Sequence, residues 1–471
     1  MQAAFGRRHR TDVMARKAKI QMFAQEWRAA TSLSGVYALR MLGMFLVLPV
    51  LALHAHKLAQ ADLKQVGMVM AAYGLTQALL QLPLGMLSDK IGRKKVIYLG
   101  MSVFALGSFW AAAADTVEAL VCARAMQGAG AVSAAVTALL ADLTREEVRT
   151  RAMSMIGLSI GLTFSVSLVL SPVLTNWIGV EGLFVLMGVL SMASIALVAG
   201  YTPEPTRLRM HQDTQAKVGY IGTVLKDRQL LRLNWGIFVL QAGLMAMFTV
   251  LPFALRELGW DKSEHWKVYL PATVIGLALM VPAIIIGETR NKLKPVFILG
   301  IGLVLASQAA LIFSLGSVWT IGVALVVYFI GFNILEASMP SLVSKIAPAN
   351  LKGTAMGVYN TMQSLGLFTG GMMGSRAYEA WGYTGVFVLC CVLMALWLVL
   401  AWTAPAPLPV KNVVYAVPEH WRAQLDELQR KLQAASGVQA VSFSDDRETV
   451  FIKAWQQGFD EESVKQILGV S

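Results

Sequence analysis

The chain has 471 residues, 56% hydrophobic and 14% charged, with a formal net charge of +12. Soluble globular domains carry about 25% charged residues, so this composition, with a mean hydropathy of +0.58, points to a polytopic protein of the lipid bilayer. The positive balance is then explained by cytoplasmic loops rather than by a nucleic-acid partner. Cys122, Cys390 and Cys391 lie inside apolar runs without any CxxC pair, which excludes a disulfide framework and a structural zinc site.

Residues 1–31 are basic and lack the apolar core of a signal peptide; they are expected to form a cytoplasmic tail. About 20 apolar residues are needed to cross a bilayer. Twelve runs qualify: 32–54, 66–88, 95–114, 117–141, 151–174, 182–201, 231–255, 267–287, 295–315, 317–345, 353–376 and 383–403. The tail and the stretches 89–95, 142–151, 202–232, 288–294 and 345–352 hold 25 Lys and Arg, against 6 in the alternate stretches 55–65, 256–267 and 376–382. This asymmetry predicts that both termini are cytoplasmic, in a bacterial-type inner membrane.

The loop 202–230 divides six spans (32–201) from six (231–403). Residues 82–95, LPLGMLSDKIGRKK, align with 281–294, VPAIIIGETRNKLK, placing Pro83 on Pro282, Asp89 on Glu288, Arg93 on Lys292 and Lys95 on Lys294. Residues 141–153 align with 344–356, placing Arg149 on Lys352. The offsets, 199 and 203, predict a parallel duplication of a six-helix unit. A Pro-rich linker, 404–413, follows. Residues 414–471 then read β-α-β-β-α, a small ferredoxin-like α+β domain in the cytoplasm. It has one histidine, His420, and no cysteine, so a heavy-metal module is excluded. Its strand edge offers a route to self-association.

Gly85-Met-Leu-Ser-Asp89-Lys-Ile-Gly92-Arg93-Lys94-Lys95 resembles motif A of the major facilitator superfamily, and Arg124-Ala-Met-Gln127-Gly128-Ala-Gly130 resembles motif B of its drug/proton antiporter branch. Gly157, Gly161 and Ser171-Pro172 match motif C loosely, without its usual Gly before Pro or the following glycine pair. The stretches 38–50, 264–270 and 352–360 are similar to the YajR-type group, which joins a twelve-helix body to a ferredoxin-like domain. The resemblance implies alternating access in two six-helix halves, and an Asp89–Arg93–Asp142 relay in the motif A turn.

Read physically, Gly85 and Gly92 permit close approach and a sharp turn, and the cations anchor the turn inside. Asp89 fits neither task. Arg93, four residues on, is one partner; Asp142 closes the fourth span nearby; and a helix beginning near Gly353 offers its N-terminal dipole. Asp89 is thus a candidate conformational latch, the alternative being a plain topology cluster.

Ionisable residues inside spans cost about 2.5–3.5 kcal/mol each. Arg40, Arg124 and Glu336 are the candidates for proton coupling, with Glu336 as the titrating acid and Arg40 a possible switching partner. A permanent ion pair or packing bond is the alternative. Tyr37, Gln127, Asn234, Gln241 and Asn333 are candidate cavity residues. Gln77, Gln81, Asn360 and Gln363 read as interhelical hydrogen bonds, and His54, His56 and His265 as extracytoplasmic loop histidines. With no phosphate loop, HExxH or Ser/His/Asp set, no enzyme, metal or cofactor is expected. The sequence thus reads as a secondary transporter exporting small organic molecules or drugs against protons. An uncoupled facilitator or importer of a polar solute, or a receptor signalling through its tail domain, are the alternatives.

Overall fold

The computed structural model describes residues 22–58, 63–144, 146–204, 221–261, 264–289, 292–347, 352–404, 410–422, 424–443, 447, 449–455 and 458–469. Most of the basic tail, most of the 202–230 loop and the side chain of Glu288 lie outside the described set. The first half contains α1 (Ala24–Leu58), α2 (Leu63–Ile91), α3 (Arg93–Ala112), α4 (Val117–Ala129), α5 (Ser133–Asp142) and α6 (Glu146–Gly200). A short α7 (Ile221–Lys226) leads into α8 (Arg228–Glu257), α9 (Trp266–Thr289), α10 (Leu293–Ser314), α11 (Val318–Ile346) and α12 (Lys352–Trp402). Among the described residues, nine helical stretches are long and apolar enough to cross a bilayer.

Two boundaries differ from the hydropathy reading. The first helix starts at Ala24 because Glu26, in its first turn, accepts the Phe23 N–H at 2.8 Å and sits at the positive end of the dipole. The fourth apolar run is broken between Ala129 and Ser133. There Gly130 lies so close to the Gly100 carbonyl and Phe104 that a side chain would strike both.

The 55 residues of α6 would extend about 80 Å as one rod, far beyond the bilayer's ~30 Å core. The chain instead folds back at Gly179, whose φ of 72° favours glycine. Ser167 donates to the Leu42 carbonyl while Met187 abuts Gly43, so the two arms flank one level of α1. The 51-residue α12 does the same at Gly382, φ 62°. These two glycines are 203 positions apart, matching the second repeat offset in the sequence.

Small residues set the packing. Gly366, Gly370 and Gly374 meet Phe238, Ala242 and Ala246 one turn at a time, so the first arm of α12 runs parallel to α8. Its other face meets α2 of the opposite half in antiparallel register: Gly67 against Ser375 and Gly371, Gly74 against Ser364 and Phe368, Leu82 against Gly357. At one rim of the bundle, Lys94 donates to the Thr202 carbonyl (2.9 Å) and Lys294 to those of Trp402 (2.9 Å) and Ala404 (2.6 Å). The structural counterpart of Lys294 is therefore Lys94, one residue from the sequence alignment.

The tail domain contains β1 (Val410–Ala416), α13 (Leu425–Ala434), β2 (Val438–Phe443), β3 (Thr449–Trp455) and α14 (Glu461–Leu468), in the antiparallel order β1-β3-β2. Leu428 and Leu432 of α13 and Val464 and Leu468 of α14 cover Val450, Ile452 and Ala454 of β3. Asp460 caps α14 by accepting from the Ser463 N–H at 3.1 Å.

Candidate functional site

The motif A turn is built from two helix ends that each carry the wrong charge. Asp89 lies in the last turn of α2, at the negative pole of its dipole, and Arg93 is the first residue of α3, at the positive pole. Each needs the other. Arg93 pairs with Asp89, its Nε contacts Asp142 Oδ2 at 3.2 Å, and its Nη1 donates to Ser88 Oγ at 2.7 Å. Arg93 is 7% exposed, so its charge depends on these neighbours rather than on water. Ser88 in turn donates to the Gly85 carbonyl at 2.6 Å. Gly92 has φ 105°, which permits the tight reversal. Leu82 packs against Gly357, so the last turns of α2 run toward the start of α12, whose first turn contains Gly353.

Near the bilayer midplane the first half buries two guanidinium groups. Arg40, 2% exposed, donates from Nη1 to Ser133 Oγ (2.8 Å) and from Nη2 to Tyr73 Oη (3.1 Å). Arg124, 3% exposed, donates to Gln127 Oε1 (2.7 Å) and lies 4.9 Å from the centre of the Tyr73 ring. Gln127 donates onward to Ser108 Oγ at 2.9 Å, and Tyr37 donates to the Ser133 carbonyl at 3.3 Å. Every acceptor is neutral. Motif B also packs the helix: a side chain at Gly128 would strike the Tyr73 carbonyl and Thr76.

The second half buries an acid. Glu336 on α11 accepts from Gln241 Nε2 of α8 and Gln363 Nε2 of α12, each at 3.1 Å. Among the described residues it has no ion pair. Arg40 is held by Tyr73 and Ser133 rather than by Glu336, so the structure separates the two charge types into opposite halves. Between them, Phe45 and Phe164 meet edge to face at 4.7 Å, and Phe164 reaches Phe332 (5.3 Å) and Phe329 (5.8 Å). This aromatic bridge joins α1 and α6 to α11 across the halves.

The description "Major Facilitator Superfamily" matches residues 33–371. The chain belongs to this superfamily. It is 39% identical over 433 residues to "Inner membrane transport protein YajR" of Escherichia coli, covering 92% of this chain and 95% of that protein. It is 24% identical to "Multidrug resistance protein 1" of Bacillus subtilis, over 78% and 94% of the two chains. Among solved structures, a bacterial homologue of the lysosomal transporter Spinster aligns with a TM-score of 0.65 at 13% identity, covering 81% of this chain and 97% of that one. The protein is thus a multi-pass inner-membrane transporter.

In this transporter the remaining expected cavity residues are distributed unevenly. Among the described residues, neither amide atom of Asn234, 1% exposed, has a hydrogen-bond partner, and Nδ2 of Asn333, 5% exposed, is likewise unpartnered. Gln77 Oε1 and both amide atoms of Gln81 are in the same position on α2. Tyr73 and Ser133 hold Arg40, Tyr73 also lies against Arg124, and Ser108 holds Gln127; none of the three is among the expected site residues. Tyr73 is at i−4 to Gln77, a helical face that marks it in retrospect; the two serines carry no sequence signal.

Proposed function

We propose that the protein works by alternating access and couples the export of small organic molecules to proton entry. The observation that carries this reading is Glu336, a carboxyl within a span whose described partners are two amide donors and no cation. Such a group is supported by either protonation state: ionised, it accepts both amide bonds; protonated, it sheds the cost of a buried charge. A permanent ion pair would have suppressed that exchange. The similarity to a multidrug resistance protein supports export.

Splitting α6 and α12 at their glycine folds and adding α2 gives twelve crossings, with the basic rims and both termini cytoplasmic. We assign Asp89, Arg93 and Asp142, with the first turn of α12 at Gly353, the role of a latch that holds the cytoplasmic side closed. In that state the midplane faces outward. Arg40 and Arg124 act on Glu336 across the cavity through their field rather than by contact.

The test is a transport screen in proteoliposomes with an imposed pH gradient, comparing wild type with Glu336→Gln. Gradient-driven flux is expected in the wild type and abolished in the variant, while substrate counterflow without a gradient persists. Flux that ignores the gradient in both proteins would instead identify an uncoupled facilitator, and ligand-dependent tail contacts without flux a receptor.

A further inference from the structure

The two buried guanidiniums of the first half face a deficit of negative charge that their neutral partners do not meet. Arg40 spends two donors on hydroxyls, Arg124 one on an amide and its face on a tyrosine ring. The Nε–H of each is buried and has no acceptor among the described residues. A guanidinium presents five donors in a planar fork, so each keeps unused a donor edge of the kind that a carboxylate bridges. Tyr73 joins the pair, its hydroxyl toward Arg40 and its ring toward Arg124. Two cations joined by one tyrosine inside the spans are costly to bury and are compensated most directly by an anion. The Phe45–Phe164–Phe332 bridge begins little more than a turn along α1 from Arg40.

We propose that Arg40, Arg124 and Tyr73 form the recognition subsite for the carboxylate of an amphipathic organic anion, whose apolar body lies against the phenylalanine bridge. This rests on the transport reading and names the substrate class: organic carboxylates. The anion and the proton site on Glu336 then occupy opposite halves, so an incoming anion is kept away from the acid by position rather than by repulsion alone.

The probes are radiolabelled benzoate and octanoate, with neutral benzamide as the control, in equilibrium binding to the full-length protein in nanodiscs. Saturable binding of the carboxylates and none of benzamide is expected. Arg40→Gln and Arg124→Gln are each expected to weaken it about tenfold or more, the effect of losing one charge-assisted hydrogen bond. A second pair keeps the test independent of folding: Ser133→Asp places a carboxylate beside Arg40, whereas Ser133→Asn does not. The Asp variant is expected to melt at a higher temperature than the Asn variant and to lose benzoate binding. Equal binding in the arginine variants, benzamide binding as well as benzoate, no saturable carboxylate binding to wild type, or an Asp variant less stable than Asn overturns the proposal. Absence of carboxylate binding alongside pH-driven flux that needs Glu336 removes this inference alone. Carboxylate binding without gradient-driven flux removes the coupling alone.

Discussion

The two halves share a scaffold and differ in chemistry. Both fold back at a glycine, Gly179 and Gly382, and both tie a lysine at the start of a helix to carbonyls at the end of the half, Lys94 and Lys294. Yet the first half buries cations at its midplane and the second an anion. The first half also sinks an arginine between two carboxylates at its cytoplasmic turn, whereas Lys292, at the equivalent place, is exposed. Backbone features survive duplication because helix packing tolerates few alternatives. Charges are free to diverge wherever a new partner compensates them.

The largest effect is expected where that divergence is deepest. Arg93→Gln removes the cation that lies between Asp89 and Asp142, a loss of about 3–5 kcal/mol by analogy with broken buried pairs. Lys292→Gln is expected to change stability by less than about 0.5 kcal/mol, as exposed substitutions do. Thermal melting in detergent checks both. Asp89→Asn keeps the fold while weakening the latch, so spin-label distances across the cytoplasmic face are expected to lengthen. Unchanged distances would sink the latch assignment and leave Arg93 as a structural tie.

The outer ends of the halves differ as well. In the first, Lys64 of α2 pairs with Glu379 of α12 across the halves at 3.9 Å. In the second, His265 is buried before α9; its imidazole Nε2 donates to the Trp260 carbonyl at 3.2 Å and its ring meets Tyr269 edge-on. Burial pushes the His265 pKa down to about 4 from an ordinary 6.5. The folded protein therefore resists protonation that the unfolded chain accepts. Stability is unaffected above pH 6.5, falls as pH drops from about 6.5 to 4, and levels off below, with a total loss of about 3 kcal/mol. His265→Gln is expected to flatten that part of the melting profile. An identical profile in the variant would assign the acid sensitivity to another group.

Local chemistry was legible in the sequence. Asp89 and Arg93 sit at i,i+4 across a glycine, and the turn that joins them is short enough that few geometries exist. The β-α-β-β-α order of the tail was legible because strand alternation and the Leu425–Leu428–Leu432 spacing report period directly. What was not legible depends on helix rotation. Arg40 and Glu336 both lie inside spans and are possible switching partners by charge, but position along a span does not tell which face a side chain takes. Tyr73 and Ser133, from two other helices, satisfy Arg40 instead. The break after Ala129 was hidden for a similar reason: the run 117–141 has the length and mean hydropathy of one span despite Glu118, Arg124 and Gln127, and the close approach of Gly100 to Gly130 depends on packing.

The smallest effects test the shared scaffold itself. Lys94 and Lys294 each offer a cation to free carbonyls at a helix end, an interaction of about 0.3–1 kcal/mol. Lys94 also contacts Glu204 at 2.6 Å, but that carboxylate's side chain is 78% exposed. An ion pair with so open a partner adds little, so Glu204→Gln is expected to leave stability within about 0.5 kcal/mol. If the two lysines are equivalent parts of one duplicated device, Lys94→Met and Lys294→Met lower stability by similar amounts. Because they lie in different halves, the double variant then shows the sum of the two. A loss at Lys94 that disappears in the Glu204→Gln background would show that the first half uses an ion pair where the second uses carbonyls. The halves would then differ even at the rim where their backbones agree best.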